Sequence, residues 1–107
     1  KIKGYYADSL DCNLKEKFIK NNKKSAIVYI DCDFYESTRE VLNFITPFLQ
    51  DGSLLCFDDW NLYRGRSDKG EKKAFFEWKK SLDDKFIFED FLPIGWMGKS
   101  FIVNTKV

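Results

Sequence analysis

Two carboxylate clusters each close an apolar run. Asp31 and Asp33 follow the run Ala26 to Ile30, in the order Ile30-Asp31-Cys32-Asp33-Phe34-Tyr35. Asp58 and Asp59 follow Leu54, Leu55, Cys56 and Phe57, and Trp60 comes next. A carboxylate buried without a partner costs on the order of several kcal/mol, so a positive charge between the clusters is expected. A metal ion is the simplest such charge. Three carboxylate oxygens with water completing the shell suit Mg2+, or Mn2+. Without a cation, repulsion between like charges raises one or more of these pKa values. The competing reading is local: Asp33 can cap the turn before a helix, and Asp59 can cap a turn of its own.

The flanking elements decide whether the clusters can meet. Asp31 and Asp58 are 27 positions apart, the length of one helical crossover. On adjacent parallel strands, about 4.8 Å apart, both would emerge at the same carboxyl edge. Open α/β sheets bind their ligands at that edge. The run Ala26 to Ile30 is short, continuous and rich in β-branched residues, which predicts a strand buried on both faces. Ser37-Thr38-Arg39-Glu40 has the form of a capping box. The helix after it carries Val41, Phe44, Ile45, Phe48 and Leu49 on one face, with Pro47 marking a kink or an early end. Asp51-Gly52 stops it, and Ser53 to Phe57 is the next strand.

A polar loop over Asn61 to Lys69 leads to a helix bearing Ala74, Phe75, Trp78 and Leu82, with Asp68 and Glu71 as its caps. Lys85 to Phe91 and Ser100 to Asn104 are two final strands around the loop Pro93 to Gly98. That link is too short for a helical crossover, so the two strands form an antiparallel hairpin at the sheet edge. Earlier, Ile2 to Tyr6 reads as the tail of a strand. Asp11 caps a short helix to about Lys20, with Leu14 and Phe18 on one face. The order predicts a mostly parallel α/β sheet with right-handed crossovers, in a single domain over 1–107.

Composition narrows the chemistry. The 107 residues are 44% hydrophobic and 18% aromatic, a folding composition. Lysine and arginine number 18 against 17 acids, for a net charge of +1. That balance gives no case for a nucleic-acid or membrane partner. No run is long enough to span a bilayer. Histidine is absent, which removes Ser-His-Asp, Cys-His and His-metal chemistry. Cys12, Cys32 and Cys56 have no metal-type spacing and read as free thiols in a reducing cytoplasm.

The motifs together resemble one family. Tyr29 to Thr38, Cys56-Phe57-Asp58-Asp59-Trp60 and Gly70-Glu71-Lys72-Lys73-Ala74-Phe75 are similar, in order and interval, to segments of the macrocin O-methyltransferases. Gly4-Tyr5-Tyr6-Ala7-Asp8-Ser9-Leu10 resembles a further segment of that family. The resemblance implies a class I methyltransferase that uses S-adenosylmethionine and a divalent metal to methylate a hydroxyl of a sugar or natural product. It implies a Rossmann-like sheet with helices on both faces. Asp31, Asp58 and Asp59 would be the metal ligands, and Asp31 would also take the proton. Tyr5, Tyr6 and Asp8 would lie at the cofactor. Tyr35 and Trp60 would line the acceptor pocket, or else belong to the core.

The family's cofactor-binding first strand, glycine-rich turn and second strand have no counterpart here. The resemblance therefore implies the carboxyl-terminal portion of the enzyme, inactive alone. It also implies an unpaired edge at Ala26 to Ile30, through which copies would associate. Two other readings stand beside this one. Asp31-Cys32-Asp33 is also a D-x-D pattern, as in metal-dependent glycosyltransferases, where Asp33 would matter most and Asp58 little. A non-catalytic dimerising module would bind no metal.

Overall fold

The structure, a computed structural model, describes residues 12–106. Helix α1 spans Cys12–Lys20 and is followed by strand β1, Ile27–Ile30. Helix α2 spans Tyr35–Ile45 and strand β2 Leu54–Phe57. Helix α3 is Gly70–Ser81, and strands β3, Phe86–Ile94, and β4, Gly98–Thr105, close the chain. The strands form one sheet in the order β1-β2-β4-β3. β1 and β2 are parallel, and β4 runs antiparallel to both of its neighbours. The final hairpin thus folds back so that β4 enters between β2 and β3, leaving β3 at the edge and parallel to β2.

The two crossing helices lie on one face of the sheet, packed against each other, where helices on both faces were expected. The reason is topological. From β1 to β2 and on to β3 the chain advances in one direction, and right-handed crossovers in one direction fall on one side. That side carries the core: Ile30, Leu55, Phe57, Phe101 and Val103 from the strands, and Leu42, Ile45, Ala74, Phe75 and Trp78 from the helices. The rings of Phe75 and Phe101 stack, with centroids 4.6 Å apart. On the other side Ile27 is 64% and Tyr29 54% exposed. β1 is therefore covered on one face among the described residues, not on two.

Local signals were overridden at two helix starts, while the stop signal at Pro47 held. α2 begins at Tyr35 rather than after Ser37, and Phe34 before it is extended and makes no side-chain cap. Thr38 is fully buried, and its hydroxyl donates to the Phe34 carbonyl at 2.8 Å. The capping box does not form because Asp33, with φ of 61°, turns the chain into the helix three residues early. Pro47 ends α2, which tightens into a 3-10 turn over Thr46–Phe48. At α3 neither expected cap operates: Asp68 is paired with Arg66, Nη2 to Oδ2 2.6 Å, and Glu71 is buried.

A polar contact joins the end of α2 to α3. The Trp78 indole Nε1 donates to Thr46 Oγ1 at 2.9 Å, and that hydroxyl donates to the Leu42 carbonyl at 2.7 Å. Thr46→Val keeps the shape but orphans the indole N–H. It is expected to cost about 1 to 2 kcal/mol in urea denaturation. A loss below about 0.3 kcal/mol would show that the contact is not coupled to folding.

Candidate metal centre

Parallel pairing in register, with Ile30 opposite Phe57, brings the ends of β1 and β2 together. The Asp58 N–H donates to the Ile30 carbonyl at 2.9 Å, extending the ladder one step past the strands. Beyond it the side chains diverge. Asp58 falls on the side of β2 that carries Cys56, opposite Tyr29. Its Oδ1 accepts a short hydrogen bond from the Tyr29 hydroxyl. That bond, with the nearby Asp58 charge, pushes the Tyr29 phenol up to about 12.

Asp59 falls on the other side and meets the first cluster. Asp31, Asp33 and Asp59 each bring a carboxylate oxygen within 4.8 Å of the others. Asp59 Oδ2 is buried and has no hydrogen-bond partner. Burial, then the adjacent Asp33 carboxylate, pushes Asp59 up to about 7. Three carboxylates that each bring an oxygen together, one of them with a buried oxygen lacking a partner, fit a hard cation such as Mg2+ or Mn2+. None of the ion pairs among the described residues reaches this cluster.

The structure thus groups Asp33 with Asp31 and Asp59, and holds Asp58 on Tyr29. Tyr5, Tyr6 and Asp8 lie outside the described residues. Tyr35 is half-buried against α3: its hydroxyl donates to Glu77, and Lys73 Nζ sits 4.1 Å from its ring centroid. Trp60 is buried among Phe57, Phe75 and Phe101, with its rim in a cavity of about 290 Å³ shared with Asn61 and Leu92. Cys32 and Cys56 are free thiols.

Glu71 is the residue that sequence reading missed. It is 1% exposed, directly behind the cluster. Its Oε2 accepts the Asp59 N–H at 3.0 Å and its Oε1 the Cys32 N–H at 3.4 Å. One carboxyl group therefore ties both aspartate loops together. Burial dominates its titration and pushes it up to about 8, against the opposing pull of the two N–H donors. Gly70 allows this placement. Its φ is +57°, and a Cβ there would meet the Tyr63 ring at 2.6 Å. The available signal was the Gly70-Glu71 pair, which looks like an ordinary helix start.

No protein-family model matches the sequence. No curated protein matches it either. Solved structures do. The O-methyltransferase NovP superposes with a TM-score of 0.56 at 23% identity, over 76% of this chain and 30% of its own. The apo structure of CalS11, a TDP-rhamnose 3'-O-methyltransferase of calicheamicin biosynthesis, gives 0.60 at 24%, over 94% of this chain and 39% of its own. A second CalS11 structure gives 0.55 at 21%, over 94% and 36%. The fold is that of these O-methyltransferases. The chain spans between 30% and 39% of their length. Among the described residues no helix is long and apolar enough to cross a membrane.

Proposed function

We propose that this chain is the metal- and acceptor-binding portion of an S-adenosylmethionine-dependent O-methyltransferase of the macrocin type, acting on a hydroxyl of a sugar or a sugar-bearing natural product. The observation that carries the reading is the convergence of one carboxylate oxygen each from Asp31, Asp33 and Asp59, with Asp59 Oδ2 buried and without a partner. It occurs at the sheet edge where such folds bind ligands. The shared fold and the three motifs, Tyr29 to Thr38, Cys56 to Trp60 and Gly70 to Phe75, support it.

Asp31, Asp33 and Asp59 would hold the divalent cation, and Asp58 stands next to them. A bound cation supplies Lewis acidity that lowers the pKa of a hydroxyl. Asp31 is exposed and is the group we assign to receive the acceptor's proton. Glu71 holds the two loops at fixed separation, so the oxygens stay converged without a ligand.

The D-x-D glycosyltransferase reading gains from the presence of Asp33 in the cluster. It leaves Asp59 and Glu71 without a role, and the shared fold favours methyl transfer. The test is the product of the full reading frame that contains these residues. It is given labelled S-adenosylmethionine, Mg2+ and a panel of nucleotide-linked and aglycone-linked sugars. Methyl transfer lost at least 100-fold in Asp59→Asn is expected. Turnover of a sugar nucleotide to a glycoside, with no methyl transfer, would establish the other enzyme.

A further inference from the structure

Asp31 and Asp58 each stand one step past the last pair of the β1–β2 ladder, Ile30 with Phe57. Their positions on the two strands are equivalent, yet their carboxylates part. Asp31 brings an oxygen within 4.8 Å of Asp33 and Asp59, and Asp58 is not in that group.

Strand alternation does not explain the difference. Counted along β1, Asp31 falls on the side of Tyr29, two positions earlier. Counted along β2, Asp58 falls on the side of Cys56, and Tyr29 and Cys56 are partners on the open face of the sheet. Both acids therefore start from the same side. A carboxylate from that side reaches the cluster by turning over the end of the sheet, because that of Asp31 does so.

What distinguishes Asp58 is the Tyr29 hydroxyl, which donates to its Oδ1. A hydroxyl bonded to a carboxylate is charge-assisted, and stronger than a neutral pair. The fold has little need of it. Tyr29 is mostly exposed on the open face, where water would serve its hydroxyl nearly as well. None of the ion pairs among the described residues involves Asp58.

We infer that Tyr29 is a positioning residue whose hydroxyl withholds Asp58 from the cation and so holds the site at three carboxylates. The inference rests on the proposed function for the presence of the cation. Its chemical consequence follows from charge. Each further carboxylate neutralises more of a divalent cation and takes a position that water or an acceptor hydroxyl would otherwise occupy. Three carboxylates leave a more weakly held cation, but a stronger Lewis acid with more positions open. Removal of the Tyr29 hydroxyl frees Asp58 to turn over the sheet end as Asp31 does.

The experiment titrates Mn2+ into the product of the full reading frame by calorimetry. Water-proton relaxation then counts the waters that the bound Mn2+ retains. Tyr29→Phe keeps the ring and should bind Mn2+ about tenfold more tightly, because the number of charged ligands tunes such sites. Its bound Mn2+ should hold about one water fewer than in the unaltered protein. Asp58→Asn added to Tyr29→Phe should reverse both changes, and Asp58→Asn alone should leave the water count as it is. A merely structural role for Tyr29 gives the opposite signs, since a loosened site loses affinity and admits water.

Unchanged or weaker binding in Tyr29→Phe would overturn the inference. So would a water gained in Asp58→Asn alone, which would show Asp58 on the cation beside an intact Tyr29. Failure of the metal reading is separable. It would show as no Mn2+ binding by the unaltered protein or by any variant, and would remove both readings. Binding that is indifferent to residue 29 removes this inference alone.

Discussion

Glu71→Ala is expected to lower stability by about 3 to 5 kcal/mol at pH 6, a large share of the total for a domain of this size. Two effects add. The Asp59 N–H, at 3.0 Å from Glu71, and the Cys32 N–H, at 3.4 Å, lose their acceptor inside the protein. Each orphaned donor costs about 1 to 3 kcal/mol, and the shorter bond carries more of it. The vacated volume adds a cavity cost, because residue 71 is packed on all sides. Glu71→Gln preserves volume and one acceptor oxygen but turns an amide nitrogen toward the other donor. A loss of about 1 to 2 kcal/mol is expected for it. Urea denaturation of both variants measures the difference. If alanine proves as stable as glutamine, Glu71 does not brace the two loops.

The second large effect concerns pH and cation together. Asp59 holds its proton up to about 7 and Glu71 up to about 8 in the folded chain. In the unfolded chain both release it near pH 4. Between these limits the folded state binds more protons. The stability it gains is complete below about pH 4 and is lost as pH rises through 7 and 8. The melting temperature of the cation-free protein should therefore fall between pH 5 and pH 8.

A divalent cation replaces the protons as the compensating charge. Mg2+ or Mn2+ should raise the melting temperature little at pH 5. At pH 8 the rise should be about 10 °C at one hundred times the dissociation constant. In Asp59→Asn the fall with pH should be shallower and the cation increment absent. Thermal scans with and without Mn2+ at both pH values decide the matter. An increment of equal size at pH 5 and pH 8 would remove the cluster as the cation's site.

Much of the arrangement was legible in order and spacing. The apolar runs ending in aspartates, the helical crossover between them and the short final link lead to a parallel pair and a hairpin, because sheet chirality leaves few alternatives. The same logic places Asp31, Asp33, Asp58 and Asp59 at one carboxyl edge, since parallel strands share their ends. The helix α3, seen from Ala74, Phe75 and Trp78, also follows from spacing alone.

What only the tertiary structure decided is which carboxylates meet. Asp58 and Asp59 are adjacent in sequence, yet successive side chains at a strand end point to opposite faces. One therefore turns to Tyr29 and the other to Asp31 and Asp33. The register between β1 and β2 sets that outcome, and register is a property of the pair, not of either segment. Glu71 makes the same point over a longer range. Locally it is a helix-start acid of the usual kind, and its partner at Cys32 lies 39 positions away. The sequence by itself determined the elements and the edge at which the acids gather. Their convergence, the burial of Glu71 and the single covered face of β1 came from packing, because each depends on which distant segment fills the space beside it.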